Sequence, residues 1–358
     1  MPRHLLTQMR YNNASGWGSV LMWEIIRAIL MLLTGVGVFL VGVVMFTHKL
    51  EKPSDRMYRF FAKTGRNRYT GVAMGTGLTM VTQSSTATSV IVIALVNGGV
   101  LTLFQATAII MGANVGTSLT SLLTTLSAFP IRYGFMMLVF AGALIKLFTK
   151  RPKWIYAGNL FIGIGLLFVG LHIMSGAFSD NQILMDTFTD LFQAVTFPLL
   201  LILIGAVFTI IMQSSTAVIG ILVVLVSQGL VDFSSVMFLI IGTNIGTTFT
   251  TIIVSLPANR DAKRVACVQV LFKLIGSAVF TIIFWPLQSL FVPWYQNLIT
   301  QAVWQLSVFH VIFNVGTMFM LLWLIKPLNW LAYKIIPKKP SGEGFDVEAE
   351  EQIVDIVQ

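Results

Sequence analysis

The chain has 358 residues, of which 56% are hydrophobic and only 10% charged, with a formal net charge of +9 and a mean hydropathy of +0.84. Soluble domains carry about 25% charged residues, so this balance excludes an ordinary soluble fold and points to a chain that crosses the bilayer many times. The single cysteine, Cys267, excludes an intramolecular disulfide, and the positive charge sits in short loops between apolar stretches, a topological pattern that argues against nucleic-acid binding.

Residues 1–24 form a polar N-terminal extension with Arg3 and Arg10, and the apolar stretch 28–46 follows. That stretch reaches the roughly 20 residues needed to cross the hydrocarbon. A basic loop follows it instead of a small-residue cleavage site, so it reads as a retained membrane helix. The loop carries Lys49, Lys52, Arg56, Arg59, Lys63, Arg66 and Arg68, and further basic clusters stand at 146–153, 260–264 and 326–339. The positive-inside rule puts all four in the cytoplasm. The loops at 175–196, charged only by Asp180, Asp186 and Asp190, and at 286–305, with no charge, then face outward.

Between 70 and 130 the chain must cross an odd number of times, yet it holds two apolar segments, 71–96 and 100–128. One reads as a re-entrant hairpin and the other as a broken span. Residues 197–257 also cross an odd number of times, in the opposite sense. The two regions are related: Gln83-Ser84-Ser85-Thr86-Ala87 returns 130 positions later as Gln213-Ser214-Ser215-Thr216-Ala217. Gly112-Ala113-Asn114-Val115-Gly116-Thr117 returns as Gly242-Thr243-Asn244-Ile245-Gly246-Thr247 at the same offset. Residues 71–123 and 201–253 align without a gap with 17 identities in 53 positions, more than shared apolar composition supplies. Similar sequence in opposite orientation is an inverted-topology repeat.

The expected fold is therefore an all-α polytopic membrane transporter with inverted-topology repeats, broken helices and re-entrant hairpins. Its expected divisions are an extension over 1–24, a first repeat over 25–149, a second over 150–285, an outer loop and final span over 286–326, and a cytoplasmic tail over 327–358. Upstream of the motifs, Gly35, Gly37 and Gly42 match Gly163, Gly165 and Gly170 at an offset of 128. Close helix packing is the plain alternative to a functional role for these glycines.

Polar side chains at membrane depth are costly unless they bind something. The hydroxyl residues after each Gln open an apolar run of half-helix length, with Ser84 or Ser85 as a natural N-cap. A half-helix starting within the membrane presents unpaired backbone N–H groups and the positive end of its dipole, and both favour an anion. If the repeats fold about a shared axis, Ser84, Ser85, Thr86, Ser214, Ser215 and Thr216 hold one tetrahedral oxyanion with no arginine. Helix–helix glue by Ser and Thr is the alternative, and it gives no reason for the Gln to repeat.

Glycine on both sides of Asn114 and Asn244 suits an unwound helix with exposed carbonyls. Together with amide and hydroxyl oxygens these make hard ligands for a small alkali cation. The candidates are Gln83, Asn114, Thr117 and Thr120 in one half, and Gln213, Asn244, Thr247 and Thr250 in the other, with packing at a helix break as the alternative. Proton coupling usually needs an intramembrane carboxylate or histidine. No Asp or Glu lies between Asp55 and Asp180, and His172 and His310 fall near expected outer ends. Sodium is favoured, and no organic cofactor is expected.

These paired motifs in inverted halves resemble the sodium/phosphate cotransporter type II family over roughly 33–326, with support from 263–276 and from Phe309-His310-Val311-Ile312-Phe313-Asn314. The resemblance implies sodium-coupled symport of inorganic phosphate across the cytoplasmic membrane, the anion held between the two Gln-Ser-Ser segments. It also implies sodium near Gln213, Ser214, Thr247 and Thr250, like roles for Gln83, Thr117 and Thr120, and a homodimer. Several bacterial members carry a soluble helical domain resembling the phosphate-uptake regulator, whereas here an acidic tail, 341–358, follows the last span.

Lys273 is expected to snorkel to the cytoplasmic interface, with neutralising phosphate or replacing a sodium ion as alternatives. Phosphate export and a passive oxyanion channel remain rival readings. An intramembrane hydrolase with a Ser–Lys pair is remote, because such chemistry needs one activated nucleophile and this chain duplicates its serines.

Overall fold

The computed structural model describes residues 14–47, 67–125 and 132–337. The basic residues from Lys49 to Arg66 and the acidic tail lie outside the described residues. In lipid, backbone polar groups must be satisfied within the segment, and all regular elements among the described residues are helices. In chain order they are α1 (Ala14–Thr47), α2 (Arg68–Thr82), α3 (Ser85–Asn97), α4 (Leu103–Thr125), α5 (Arg132–Phe148), α6 (Pro152–Ser179) and α7 (Gln182–Ala194). There follow α8 (Pro198–Met212), α9 (Ser215–Ser227), α10 (Phe233–Ser255), α11 (Arg260–Phe284), α12 (Gln288–Leu298), α13 (Ala302–Leu322) and α14 (Ile325–Ile335).

Six helices, α1, α4, α6, α10, α11 and α13, are long and apolar enough to cross a membrane. This is a multi-pass membrane protein. Large apolar side chains such as Leu203, Phe208 and Ile211 of α8 point outward, while Thr209 on the same helix is buried. The two innermost spans are α4 and α10, buried over 71% and 72% of their apolar windows against 22% for α1.

The internal repeat is visible in the elements. Helices α8, α9 and α10 begin and end 130 positions after α2, α3 and α4. At 13 to 15 residues, α2, α3, α8 and α9 are about 20–23 Å long, short of the roughly 30 Å hydrocarbon core, so none crosses alone. In the first copy the chain doubles back: the hydroxyl oxygens of Thr79 and Thr88 are 2.9 Å apart. A straight helix would hold positions nine apart at about 13 Å along its axis. Segment 71–96 thus supplies the hairpin. The second apolar segment is not broken, because α4 runs on through its glycines.

Helix α2 lies along α4, and α8 along α10, at glycine contacts. A Cβ on Gly112 would stand 2.0 Å from the Val72 carbonyl oxygen, and one on Gly242 would stand 2.0 Å from that of Ile202. These glycines were expected to unwind their helices. They instead allow close backbone approach, and the carbonyls stay in the helix. The second short helix of each copy also crosses over, α3 packing on the α10 of the other copy and α9 on α4. Helix α11 lies on α10 and touches α3, and α13 lies on α4 and touches α9, which extends the pairing outside the two copies.

On the flank, α6 packs against α1 and α5. Gly35 approaches the Gly170 carbonyl and Gly42 that of Gly163, whereas Gly37 faces open space. The final span ends at Leu322, and Ile325 starts the separate α14.

Polar contacts tie element ends together. The Arg68 guanidinium sits 5.2 Å from the Trp323 ring, and Asn97 accepts two hydrogen bonds from Asn259, the N-cap of α11, through its side-chain and backbone oxygens at 2.8 and 3.1 Å. In the second copy Phe197, before α8, meets Trp285 edge-on at 5.5 Å. Gln228, after α9, donates to Ser175 Oγ at 2.7 Å and accepts from Ser179 at 3.1 Å.

Candidate functional site

Among the described residues only two that are not glycine have positive φ, Gln83 at 54° and Gln213 at 50°. They are the glutamines of the repeated motif, each ending the helix before the break. A left-handed residue with a Cβ costs roughly 1–2 kcal/mol, so the same strain at both equivalent positions marks them as sites to explain. The next residue returns to extended backbone as an N-cap. Ser84 Oγ accepts from the Ala87 N–H at 3.1 Å, and Ser214 Oγ from the Ala217 N–H at 3.2 Å.

This cap uses one lone pair and leaves each serine hydroxyl proton free to donate. The N–H groups of Ser85, Thr86, Ser215 and Thr216 occupy first turns, where a helix offers no carbonyl. All six hydroxyl residues expected to hold an anion stand at helix starts and are half-buried. Each break can therefore supply N–H and O–H donors and a positive dipole end to one anion.

The expected cation ligands have less uniform surroundings. Gln83 donates through Nε2 to the Met80 carbonyl and keeps Oε1 buried with no partner, while Gln213 is exposed. Asn114 and Asn244 each donate through Nδ2 to a carbonyl four residues back, Ile110 at 2.9 Å and Ile240 at 3.0 Å. Both side chains are buried, and these bonds use only the amide nitrogens. Thr117 donates to the Ala113 carbonyl at 3.1 Å and Thr247 to that of Asn244 at 2.7 Å, which spares their oxygen lone pairs. Thr250 is half-buried, and the side chain of Thr120 lies outside the described residues.

In both copies the Asn motif lies next to the helix that enters the break. A Cβ on Gly116 would stand 2.7 Å from Thr79 Cβ, and one on Gly246 would stand 2.6 Å from Thr209 Cβ. Thr76 also donates to the Gly112 carbonyl at 3.0 Å. A depression lined by Ser234, Trp285, Gln288 and Ser289 includes none of these residues.

Two helices carry polar residues that the motifs alone did not assign. Lys273 is 3% exposed, and its Nζ donates to Asn244 Oδ1 at 2.5 Å. It turns inward and does not snorkel. His310, expected at an outer boundary, is likewise buried within α13. Their signal was a second internal match: Gln269-Val270-Leu271-Phe272-Lys273 on α11 parallels His310-Val311-Ile312-Phe313-Asn314 on α13.

Residues 38–176 and 181–327 match the Na+/Pi-cotransporter family. The chain belongs to this family. The Na+/Pi-cotransporter relatives include the "Putative inorganic phosphate export protein YjbB" of Escherichia coli K12, 30% identical over 75% of this chain and 48% of its own. Protein YqeW of Bacillus subtilis is 29% identical over 73% of this chain and 82% of its own. The sodium-dependent phosphate transport protein 2A of the rat is 36% identical over 27% of this chain and 16% of its own. The chain spans about half the length of the first of these relatives. No solved structure matches it. Membership makes this a transporter-family protein of the cell membrane.

Proposed function

We propose that the chain carries inorganic phosphate across the membrane coupled to sodium, the anion held between the starts of α3 and α9. The observation that carries this is the pair of equivalent breaks, each with a left-handed Gln, a capping Ser and two further hydroxyl residues. Phosphate needs donors on several faces and a site without fixed acceptors, and two helix starts meet both demands. Gln83, Asn114, Thr117, Thr120, Gln213, Ser214, Asn244, Thr247 and Thr250 are the proposed sodium ligands. The orphaned oxygen of Gln83 supports them.

The repeats are proposed to be inverted. One end of the α2–α3 hairpin, at Arg68, meets Trp323 near Lys326, and the other, at Asn97, meets Asn259 beside Arg260. Both ends of α8–α9 meet residues in or next to the acidic or uncharged loops, Trp285 just before 286–305 and Ser175 and Ser179. The positive-inside rule then sets the hairpins on opposite sides.

Sodium also suits the electrical work. Moving a divalent anion inward against an inside-negative potential costs about 4.6 kcal/mol per 100 mV, and each inward sodium returns about 2.3. Export by the same site is the second reading, favoured by the export designation of the E. coli relative. An enzymatic role has no support in a duplicated serine motif.

The test is labelled-phosphate flux in proteoliposomes with a sodium gradient imposed in each direction. Gradient-driven flux that Ser85→Ala or Ser215→Ala lowers at least tenfold is expected, since a hydrogen bond to a charged group contributes about 1.5–3 kcal/mol. Phosphate flux indifferent to sodium would remove the coupling. Near-normal phosphate affinity in both variants would remove the hydroxyl contacts.

A further inference from the structure

Lys273 sits midway along α11, buried against the asparagine of the second Gly-x-Asn-x-Gly-Thr motif. Among the described residues no carboxylate lies within ion-pair distance of it. A buried ammonium without a counter-charge is expensive unless oxygen atoms replace its lost water. Here the Asn244 amide oxygen does so, the atom that a sodium ion would otherwise claim.

The other half shows the same arrangement without the lysine. Helix α13 lies on α4 as α11 lies on α10, and the aligned motifs put Asn314 where α11 has Lys273. Ser307 bonds to Thr125 and to the Ser121 carbonyl, while Met318 shares a core cluster with Met111 and Ala108. The two helices are therefore antiparallel, and Asn314 comes level with Asn114–Thr117. At that level Asn314 Oδ1 is buried with no partner. Matched positions thus hold, in one half, a positive charge on an asparagine oxygen and, in the other, an asparagine oxygen with nothing to bind.

We propose that the Lys273 ammonium is a tethered substitute for one of two symmetry-related monovalent cations. This withdraws Asn244 from the sodium ligands named above, because its amide oxygen is held by Lys273, and leaves the position between Asn114 and Asn314 to take a mobile sodium. This rests on the sodium-coupled reading above and adds an asymmetry to it. Each transport cycle carries one sodium fewer than two equivalent halves would bind.

Lys273→Asn tests this by restoring the α13 residue type to α11. Two readouts are needed: the melting temperature of the detergent-solubilised full chain in NaCl against equal KCl, and the sodium dependence of phosphate flux. Lys273→Asn is expected to gain a sodium-specific rise in Tm beyond that of the unsubstituted protein, and its Hill coefficient for sodium should increase by about one, the value for one added site. Lys273→Met, with neither charge nor oxygen, should gain neither. The converse Asn314→Lys should abolish the part of the sodium-specific Tm rise that the first half supplies, and it remains a test if Lys273→Asn fails to fold. Sodium responses of Lys273→Asn that match those of Lys273→Met, or an Asn314→Lys protein with an undiminished response, would overturn the proposal. Flux without sodium dependence in the unsubstituted protein, combined with a sodium-specific Tm gain in Lys273→Asn, would sink the coupling while leaving the Lys273 assignment standing.

Discussion

At Gln83 and Gln213 the backbone takes a conformation that glycine adopts without cost, yet the chain places a glutamine there twice. The strain is worth keeping only if the side chain has work that glycine cannot do, and Gln83 holds a buried amide oxygen with no protein partner. Replacing it by glycine separates the two roles. Gln83→Gly relieves roughly 1 kcal/mol of left-handed strain and gives back a similar amount in backbone entropy, so Tm should stay within a few degrees. The half-saturating sodium concentration for phosphate flux should rise about tenfold, the scale of one lost oxygen ligand. Unchanged sodium affinity in a folded Gln83→Gly protein would assign the glutamine to the turn alone. The capping serine was legible from three consecutive hydroxyl residues. The left-handed glutamine was not, because glutamine has no preference for that region and only the return of the chain from α2 to α3 imposes it.

At the scale of helices, the same residue type has opposite consequences according to what faces it. Gly242 lies where a Cβ would come within 2.0 Å of the Ile202 carbonyl oxygen, and Gly37 lies where a Cβ would meet nothing within 4 Å. Gly242→Ala must push α8 off α10, an overpacking that costs about 1–3 kcal/mol. Gly37→Ala on exposed α1 should be neutral or stabilising by up to about 1 kcal/mol through helix propensity. Thermal unfolding of the two variants in detergent should move in opposite directions or differ by several degrees. Equal Tm values would mean that α8 yields freely. The expectation that Gly112–Thr117 and Gly242–Thr247 unwind failed for the same reason. Glycines flanking an asparagine serve either a broken helix or a close crossing, and the choice is made by the partner helix, α2 or α8. Lys273 was misplaced on similar grounds: its distance from Arg264 permits snorkelling, but the face it shares with Asn244 is set by how α11 packs on α10.

Across the whole molecule, the proposed opposite direction of the two halves rests on the charge pattern of the loops, and the contacts at the hairpin ends are consistent with it. Asn97 bonds to Asn259 beside Arg260, while Gln228 bonds to Ser175 and Ser179 before the acidic stretch at Asp180. The turns after α3 and α9 are otherwise alike, with Gly99 and Gly229 at φ of 69° and 70°. Two equivalent turns should therefore open to opposite compartments. With Cys267→Ser as background, G98C and S227C put single thiols at these exposed turns. A membrane-impermeant maleimide should label S227C in intact cells and G98C only in inside-out vesicles. Labelling of both from one side would place the two helix starts in parallel, and the dipoles of α3 and α9 would then point the same way instead of converging on a shared anion.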